Sequence, residues 1–555
     1  MKLPVDPGSF FIFIAIILYV YKYKLICIIV ISILHRNGGG PVPDKYDLVV
    51  IGAGNGGLMT ACRASRMGLK TLVIEKHNLP GGAATSFVRG RFEFDASLHE
   101  IPDFGEGDIR GELGKLFDEL GIKVDMIPIK DAFRYIVEKN GIREIDVTFP
   151  HGKDKVMELI KEICPDDIEP MNKFFMAYED MAAGLDYWGS TRGNPDFEVL
   201  RREHPNFMKI MGLSAGEFFR ALGMSDKCVD IMSAYWPYQG TDINTVDASR
   251  YLLMVYGYFV NGAYVPKMRS HQLSVAIVDR ASELGCKFLF ETEVTKVLTR
   301  NGAVCGVQVD DGRIFECTAL ASNAFPETVY FKLLDDKSLV SQFEKKKINA
   351  RKYGFRAFSV SLGLDAPPEE IGIEDYTLFI STTKDSKTIY DASAKRQTDE
   401  YALDVCCLNL ANPDCSPKGT TMMILTISYT DDAWADVKEE DYVKIKREIA
   451  DQMIDNLERI MGYKIREHIE EIEIASPVTF ARYMGTPQGT VYGYASEKWD
   501  GMSSRTVTNG MEPTIPGLFF VGAHGSGLSG YFPTYTTGNR IGYQILGYVM
   551  SGGAG

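Results

Sequence analysis

The chain has 555 residues, 45% apolar and 24% charged, with 60 basic against 74 acidic side chains and a formal charge of -14. That length exceeds a single hydrophobic core and predicts two or three domains, and the acidic balance excludes a nucleic-acid footprint, which needs clustered positive charge. The ten cysteines include no CxxC pair, and the eight histidines form no HExxH or Cys–His cluster, so the thiols read as small core residues of a reducing compartment and no metal site is expected.

Phe10 to Leu34 reads FFIFIAIILYVYKYKLICIIVISIL. A helix of that length spans roughly 37 Å, enough to cross a bilayer. Lys22 and Lys24 fall at its middle, where each costs about 3 kcal/mol on insertion scales. Three arrangements fit: a single-pass anchor with strained lysines, a monotopic element whose lysines snorkel to the headgroups, and an apolar tail packed on the protein or a partner. No small-x-small site follows, which disfavours a cleaved signal peptide. His35-Arg36 and then Gly38-Gly39-Gly40-Pro41 make a basic flank and a linker, which places the folded body on the cytoplasmic side.

Tyr46 to Glu75 has the order strand, glycine turn, helix, strand. Leu48 to Ile51 is short, branched and apolar, as a buried parallel strand requires. Gly52, Gly54 and Gly57 fill the three positions of GxGxxG, where absent β-carbons permit the tight turn, the approach to a pyrophosphate and close helix packing. The helix follows from about Gly57 to Arg66, with free N–H groups aimed at the phosphate. Thr71 to Ile74 is the second strand. Glu75 ends it, where a carboxylate accepts two ribose hydroxyls and disfavours a 2'-phosphate, so a nicotinamide here would be NAD rather than NADP.

Downstream, Pro80-Gly81-Gly82 leads into Ser86-Phe87, Arg91-Phe92-Glu93-Phe94-Asp95 and Ser97-Leu98-His99. Near the other end, Ile515-Pro516-Gly517-Leu518-Phe519-Phe520-Val521-Gly522 is a final strand, followed by a glycine-rich turn, Ala523 to Pro533, and a helix from near Thr536 or Gly538. In these segments the chain resembles the flavin-dependent amine oxidase and carotenoid desaturase superfamily, and within it the phytoene desaturase, carotenoid isomerase and retinol saturase branch. His99 is closer to the saturase pattern, and Ala83 departs from the Arg that many desaturases carry. Gly262-Ala263-Tyr264-Val265-Pro266 resembles the family's Gly-x-Tyr-x-Pro segment, but Lys267-Met268-Arg269-Ser270 stands where relatives often have a basic residue and two glycines.

The resemblance implies FAD as cofactor, held by Gly52, Gly54, Gly57, Glu75, Lys76, Gly81, Gly82, Ala83, Val294, Asn323, Gly522, Gly530 and Tyr531. It implies an α/β fold, a Rossmann-like FAD-binding domain with an inserted α+β substrate domain behind the N-terminal hydrophobic membrane segment. The expected parts are 1–40, membrane-associating segment and linker; 41–108, first FAD-binding part; 109–284, mostly helical substrate or membrane-facing region; 285–345, second FAD-binding part; 346–495, substrate domain; and 496–555, C-terminal FAD-binding part.

Between those ends the periodicity predicts helices at 113–120, 154–164, 167–185, 207–222, 227–235, 272–283 and 439–461. Strands are predicted near 125–129, 133–137, 145–148, 291–297, 306–309, 314–318, 355–364, 402–410 and 420–429. Ala234 to Phe259 concentrates Tyr235, Trp236, Tyr238, Tyr251, Tyr256, Tyr258 and Phe259, which suits either an aromatic core or the wall of a cavity for a long unsaturated molecule.

A flavin exchanges hydride at one ring nitrogen while the protein aligns a substrate carbon against it. Saturation, desaturation and isomerisation of a hydrophobic polyene, retinoid or other lipid-like substrate are all reachable. A membrane lipid and an electron carrier are expected partners, with NAD(P)H as a transient donor. Saturation also needs a proton donor, for which the candidates are His524, Tyr531, Tyr535, His99 and Tyr264. An amine oxidase, a redox-neutral polyene isomerase and a non-catalytic flavoprotein scaffold are the alternatives.

Overall fold

The computed structural model describes residues 45–107, 110–191, 195–396, 399–502, 504–505, 514–524 and 529–553. The apolar run 10–34, with its expected membrane role, lies outside them. Among the described residues no helix is long and apolar enough to cross a membrane.

Strand Lys45–Ile51 pairs in parallel with Thr71–Ile74 on one side and Ile314–Ser322 on the other. Lys287–Leu289 continues the sheet beyond Thr71–Ile74, and Leu518–Phe520 joins Ile314–Ser322, both in parallel. Ala303–Val309 and Val294–Arg300 add an antiparallel flank. Distant segments of the chain therefore build one seven-stranded sheet. All four residues of Thr71–Ile74 are buried, as a parallel strand covered on both faces demands. Helices Asn55–Arg66 and Tyr531–Met550 share a core with this sheet through Leu58, Met59, Tyr535, Ile541 and Ile545.

A second seven-stranded sheet runs in the spatial order Ile469–Ala475, Arg356–Leu364, Thr421–Tyr429, Ala402–Cys407, Thr377–Ser381, Asp131–Lys139, Ile142–Pro150. Strand alternation gives it two different faces. Phe358, Val360, Leu362, Leu403, Val405, Met423 and Leu425 pack with Ile449, Met453, Ile454 and Leu457 of the amphipathic helix Glu439–Met461. The intervening Ala357, Ser359, Asp404, Ile424, Thr426 and Ser428 face a cavity instead. Helices Lys153–Ile163, Ile168–Ser190, Ala215–Leu222, Asp226–Met232 and Ala248–Tyr256 form a further core with Phe133 and Phe149 of the sheet's far end.

Several predicted elements differ in extent, and three of the differences have a clear local cause. The helix expected over 207–222 is two helices, Pro205–Ile210 and Ala215–Leu222. Gly212 takes a left-handed φ of 86°, and Ser214 opens the second helix with a capping box to Glu217. The strand expected to Leu410 ends at Cys407 in a 3-10 turn. The last helix starts at Tyr531 rather than near Thr536, because Pro533 sits in its first turn, where a missing N–H costs nothing.

Candidate functional site

The first glycine turn is set by contacts that no side chain would allow. A β-carbon on Gly57 would stand 2.1 Å from the Gly52 carbonyl oxygen, so this glycine lets the helix start against the strand. Gly52 makes the turn at φ 92°. Gly54, Asn55 and Gly56 then present the helix start to the cavity, where free N–H groups favour an anion. Gly56, outside the GxGxxG positions, is needed as well: a β-carbon there would lie 2.5 Å from Gly522 N. Only the run of glycines in GAGNGG hinted at it.

Glu75 stands at the end of the second strand, where its Oε2 accepts from Ala53 N at 2.7 Å and its Oε1 from His77 N at 2.8 Å. A carboxylate offers about four acceptor directions, so others would remain for the ribose hydroxyls of a bound dinucleotide. Lys76, expected to touch the cofactor, is exposed and lies instead against the loop at Gly485. Val294, expected to border the cofactor through its backbone, is buried at the start of its strand opposite Val309 and, like Glu75, does not line the cavity.

Gly81, Gly82 and Ala83 line the cavity beside the turn, with Gly81 N donating to Ala53 O at 2.8 Å and Ser97 Oγ donating to Ala83 O at 2.8 Å. The divergent Arg269-Ser270 segment supports this loop from behind. Arg269 keeps the left-handed backbone that a glycine would favour, at φ 80°, and Ser270 Oγ donates to Thr85 O at 3.1 Å. Asn323, Gly522 and Gly530 also line the cavity, with Asn323 and Gly522 packed against the glycine turn itself. Asn323 Oδ1 is buried without a hydrogen-bond partner, and so is the Tyr531 hydroxyl. Glycines that leave room, a helix start and orphaned polar atoms around one space fit the phosphates, ribose and ring of an FAD.

The five proton-donor candidates separate. His524 Nε2 lies 2.6 Å from Asn323 O, and the ring stacks on Phe325 with centroids 4.2 Å apart. Desolvation pulls its pKa down to about 4, so at neutral pH its one proton is already given to a carbonyl and it holds no spare charge. Tyr535 is fully buried outside the cavity wall, its hydroxyl donating to Asn55 Oδ1 at 3.2 Å. Tyr264 belongs to the small sheet opposite Ile101 and Pro128 and packs on Phe104, again outside the wall. Tyr531 and His99 do line the cavity. His99 bridges Tyr238 OH at 3.1 Å and Thr426 Oγ1 at 3.4 Å, and desolvation lowers its pKa to about 4.

The cavity holds about 1880 Å³. Of the aromatic concentration at 235–259, only Tyr238 and Tyr258 face it, joined by Tyr178, Trp188 and Tyr492. Tyr235, Trp236, Tyr251 and Phe259 are core, and Tyr256 stacks on Tyr178. Acids that no sequence motif marked also line it, among them the buried Glu100 and Asp404. Tyr238 OH donates to Glu100 Oε1 at 2.9 Å, and burial pushes the Glu100 pKa up to about 7 and that of Asp404 up to about 8. The one available signal was a lone acid inside the apolar run Leu403-Asp404-Val405.

Comparison with known proteins agrees with this geometry. An all-trans-retinol 13,14-reductase from Rattus norvegicus is 24% identical over 81% of this chain and 78% of its own length. A chloroplastic prolycopene isomerase from Daucus carota is 21% identical over 81% of this chain and 72% of its own. The crystal structure of an oxidoreductase from Methanosarcina mazei shares the fold, with a TM-score of 0.59 at 18% identity over 91% of this chain and all of the other. The family model described as flavin containing amine oxidoreductase matches residues 56–535, from the glycine turn to the last helix, and the chain accordingly belongs to that family and is an FAD-type oxidoreductase.

Proposed function

We propose that the chain is a membrane-associated, FAD-dependent enzyme that saturates or desaturates carbon–carbon bonds of a hydrophobic polyene, retinoid or other lipid-like substrate. The observation that carries this is the cavity of about 1880 Å³ running between the glycine loops and the walls formed by Tyr178, Trp188, Tyr238 and Tyr258. It is larger than a dinucleotide site alone needs, and its aromatic walls suit an extended unsaturated ligand. The similarity to a retinol reductase and a prolycopene isomerase supports the same class. The apolar run 10–34 supports residence on a membrane, with the folded body toward the cytoplasm.

Bound FAD supplies hydride exchange with carbon. The chain's own share is positioning and proton supply: the aromatic walls hold the chain of the substrate, and Tyr531 lines the cavity with its hydroxyl buried near Ser97 and Ser270. Burial raises the Tyr531 pKa, so the group keeps its proton at neutral pH. NAD(P)H or a membrane electron carrier closes the redox cycle.

The test is an anaerobic visible spectrum of the full chain in mild detergent, before and after NADH or NADPH, followed by all-trans-retinol. A flavin band that bleaches with the nicotinamide and recovers with the polyene is the expected result for saturation. Bleaching of the oxidised band by an amine instead, with recovery in air and release of peroxide, would assign an amine oxidase. Absence of flavin after reconstitution with FAD would refute the proposal.

A further inference from the structure

Among the described residues, three side chains of metal-ligating type converge away from the cavity. The Cys164 and Cys228 sulfurs and an Asp167 oxygen all lie within 4.8 Å of one another, and none of the three residues lines the cavity. Cys164 caps the end of helix Lys153–Ile163, Asp167 immediately precedes helix Ile168–Ser190, and Cys228 sits in the first turn of helix Asp226–Met232. No spacing motif marks them, because the third ligand arrives from a separate helix. Both cysteines are free thiols.

Ser225 aims the carboxylate: its N–H donates to Asp167 Oδ1 at 2.7 Å and its hydroxyl to Oδ2 at 2.6 Å. With about four acceptor directions on a carboxylate, lone pairs remain on both oxygens, and such outer bonds are how ligating carboxylates are held. The local field favours a cation. Cys164 lies at the electronegative end of an 11-residue helix, and the Lys227 ammonium donates to the last helical carbonyl there, Ile163 O, at 2.7 Å. A disulfide fits the surroundings less well, because its formation needs a thiolate, and burial together with the charge of Asp167 raises the Cys228 thiol. A divalent ion reverses that balance, since it displaces thiol protons and attracts all three anions.

We propose that Cys164, Asp167 and Cys228 form a structural site for a thiophilic divalent cation of the Zn2+ class. Binding forms two metal–sulfur bonds and one metal–oxygen bond and releases the two thiol protons to solvent, with no change of oxidation state. The ion needs no cavity. Tetrahedral bonds of about 2.3 Å set two sulfurs about 3.8 Å apart, which is near their contact distance without a metal. Cys164 is 4% exposed, Asp167 2% and Cys228 0%, so the group is closed as structural sites are, and a water entering beside Cys164 completes the four ligands. Two thiolates and a carboxylate around a divalent ion leave one negative charge, which the neighbouring Lys227 offsets. The site would pin the start of Ile168–Ser190, the helix that supplies Tyr178 and Trp188 to the cavity wall, to two other helices.

The test is equilibrium dialysis of the full, flavin-loaded chain in mild detergent against Zn2+, under a reductant that does not bind metal, with zinc-edge X-ray absorption of the parent to count its sulfur ligands. A single tightly held Zn2+ with two sulfurs is the expected result. Cys164→Ser and Cys228→Ser should each lose it, whereas Cys305→Ser, which removes a partly exposed thiol elsewhere, should bind as the parent does. Ser225→Ala, which loosens Asp167 without removing a ligand, should weaken binding by about 10- to 100-fold. Unchanged flavin content shows that a variant is folded, and if both serine variants lose flavin the absorption spectrum of the parent decides alone. Failure of the reduced parent to bind Zn2+, a spectrum without sulfur ligands, or binding that survives both serine variants overturns the site. A Cys164–Cys228 disulfide that persists under the reductant overturns it as well.

Discussion

Glu75 is aimed before any nucleotide arrives, because the N–H groups of Ala53 and His77 hold its two oxygens at 2.7 and 2.8 Å. Hydrogen bonds from ribose hydroxyls to this carboxylate would be worth about 1.5–3 kcal/mol each. Glu75→Ala is therefore expected to weaken FAD binding by at least about tenfold, measured as flavin retained after dialysis. Asp404 carries a pH prediction. Burial holds it up to about 8 and Glu100 up to about 7, against about 4 in an unfolded chain. The folded state then binds more protons than the unfolded state between those values, so the stability these acids contribute is complete at about pH 4 and is lost as pH rises through about 8. The two titrate as a pair. Tyr238, Tyr258 and Cys406 around Glu100, and Tyr492 near Asp404, keep their protons because burial raises each of them, while buried His99 stays neutral. Asp404→Asn should melt above the parent at about pH 9 and with it near pH 4, read by thermal denaturation across pH.

At the scale of elements, two local patterns account for the site's frame. The apolar stripe of helix Glu439–Met461 covers one face of the long sheet, with Leu457 fully buried in the shared core. Leu457→Ala should cost about 2–5 kcal/mol, measured by denaturant unfolding. The glycine turn depends instead on backbone contact between two elements. Gly56→Val would force a β-carbon to within 2.5 Å of Gly522 N, so the variant should lose flavin by about tenfold or more while its far-UV dichroism is kept. Such elements were legible because their causes are local: the spaced glycines, the amphipathic period of 439–461 and the apolar run Thr71–Ile74 each sit within a few turns of chain. The break at Gly212 was also written locally, as Ser214 with Glu217 three residues on. The extra turn at Tyr531 was obscured because Pro533 reads as a stop signal although a helix accepts it in its first turn.

Across the whole molecule, the cavity is assembled from distant pieces: Gly81, Gly82 and His99, Tyr238 and Tyr258, the sheet residues Ala357, Thr426 and Ser428, Tyr492, and Gly522 with Gly530 and Tyr531 all border it. The proposed membrane role belongs to this scale and rests on the run 10–34. Removing residues 1–40 should leave FAD content unchanged and abolish cosedimentation with phospholipid vesicles; retained vesicle binding would move the membrane contact onto the folded body.

The residues expected to bind a dinucleotide announced themselves in order, because Gly52, Gly54, Gly57 and Glu75 lie within one strand–turn–helix–strand unit whose geometry follows from chain stereochemistry. The family's mark was likewise readable in Gly81-Gly82 and in the final strand before Gly522. Which polar groups share the cavity was decided only by folding. His524 and Tyr535 stand close in sequence to cofactor segments, yet one is tied to Asn323 and the other to Asn55. Glu100 and Asp404 lie some three hundred positions apart in the chain, and tertiary packing brings them to one wall. Side-chain facing in a strand alternates with every residue, and burial shifts an acid only once its neighbours are in place, so neither could be read from local spacing.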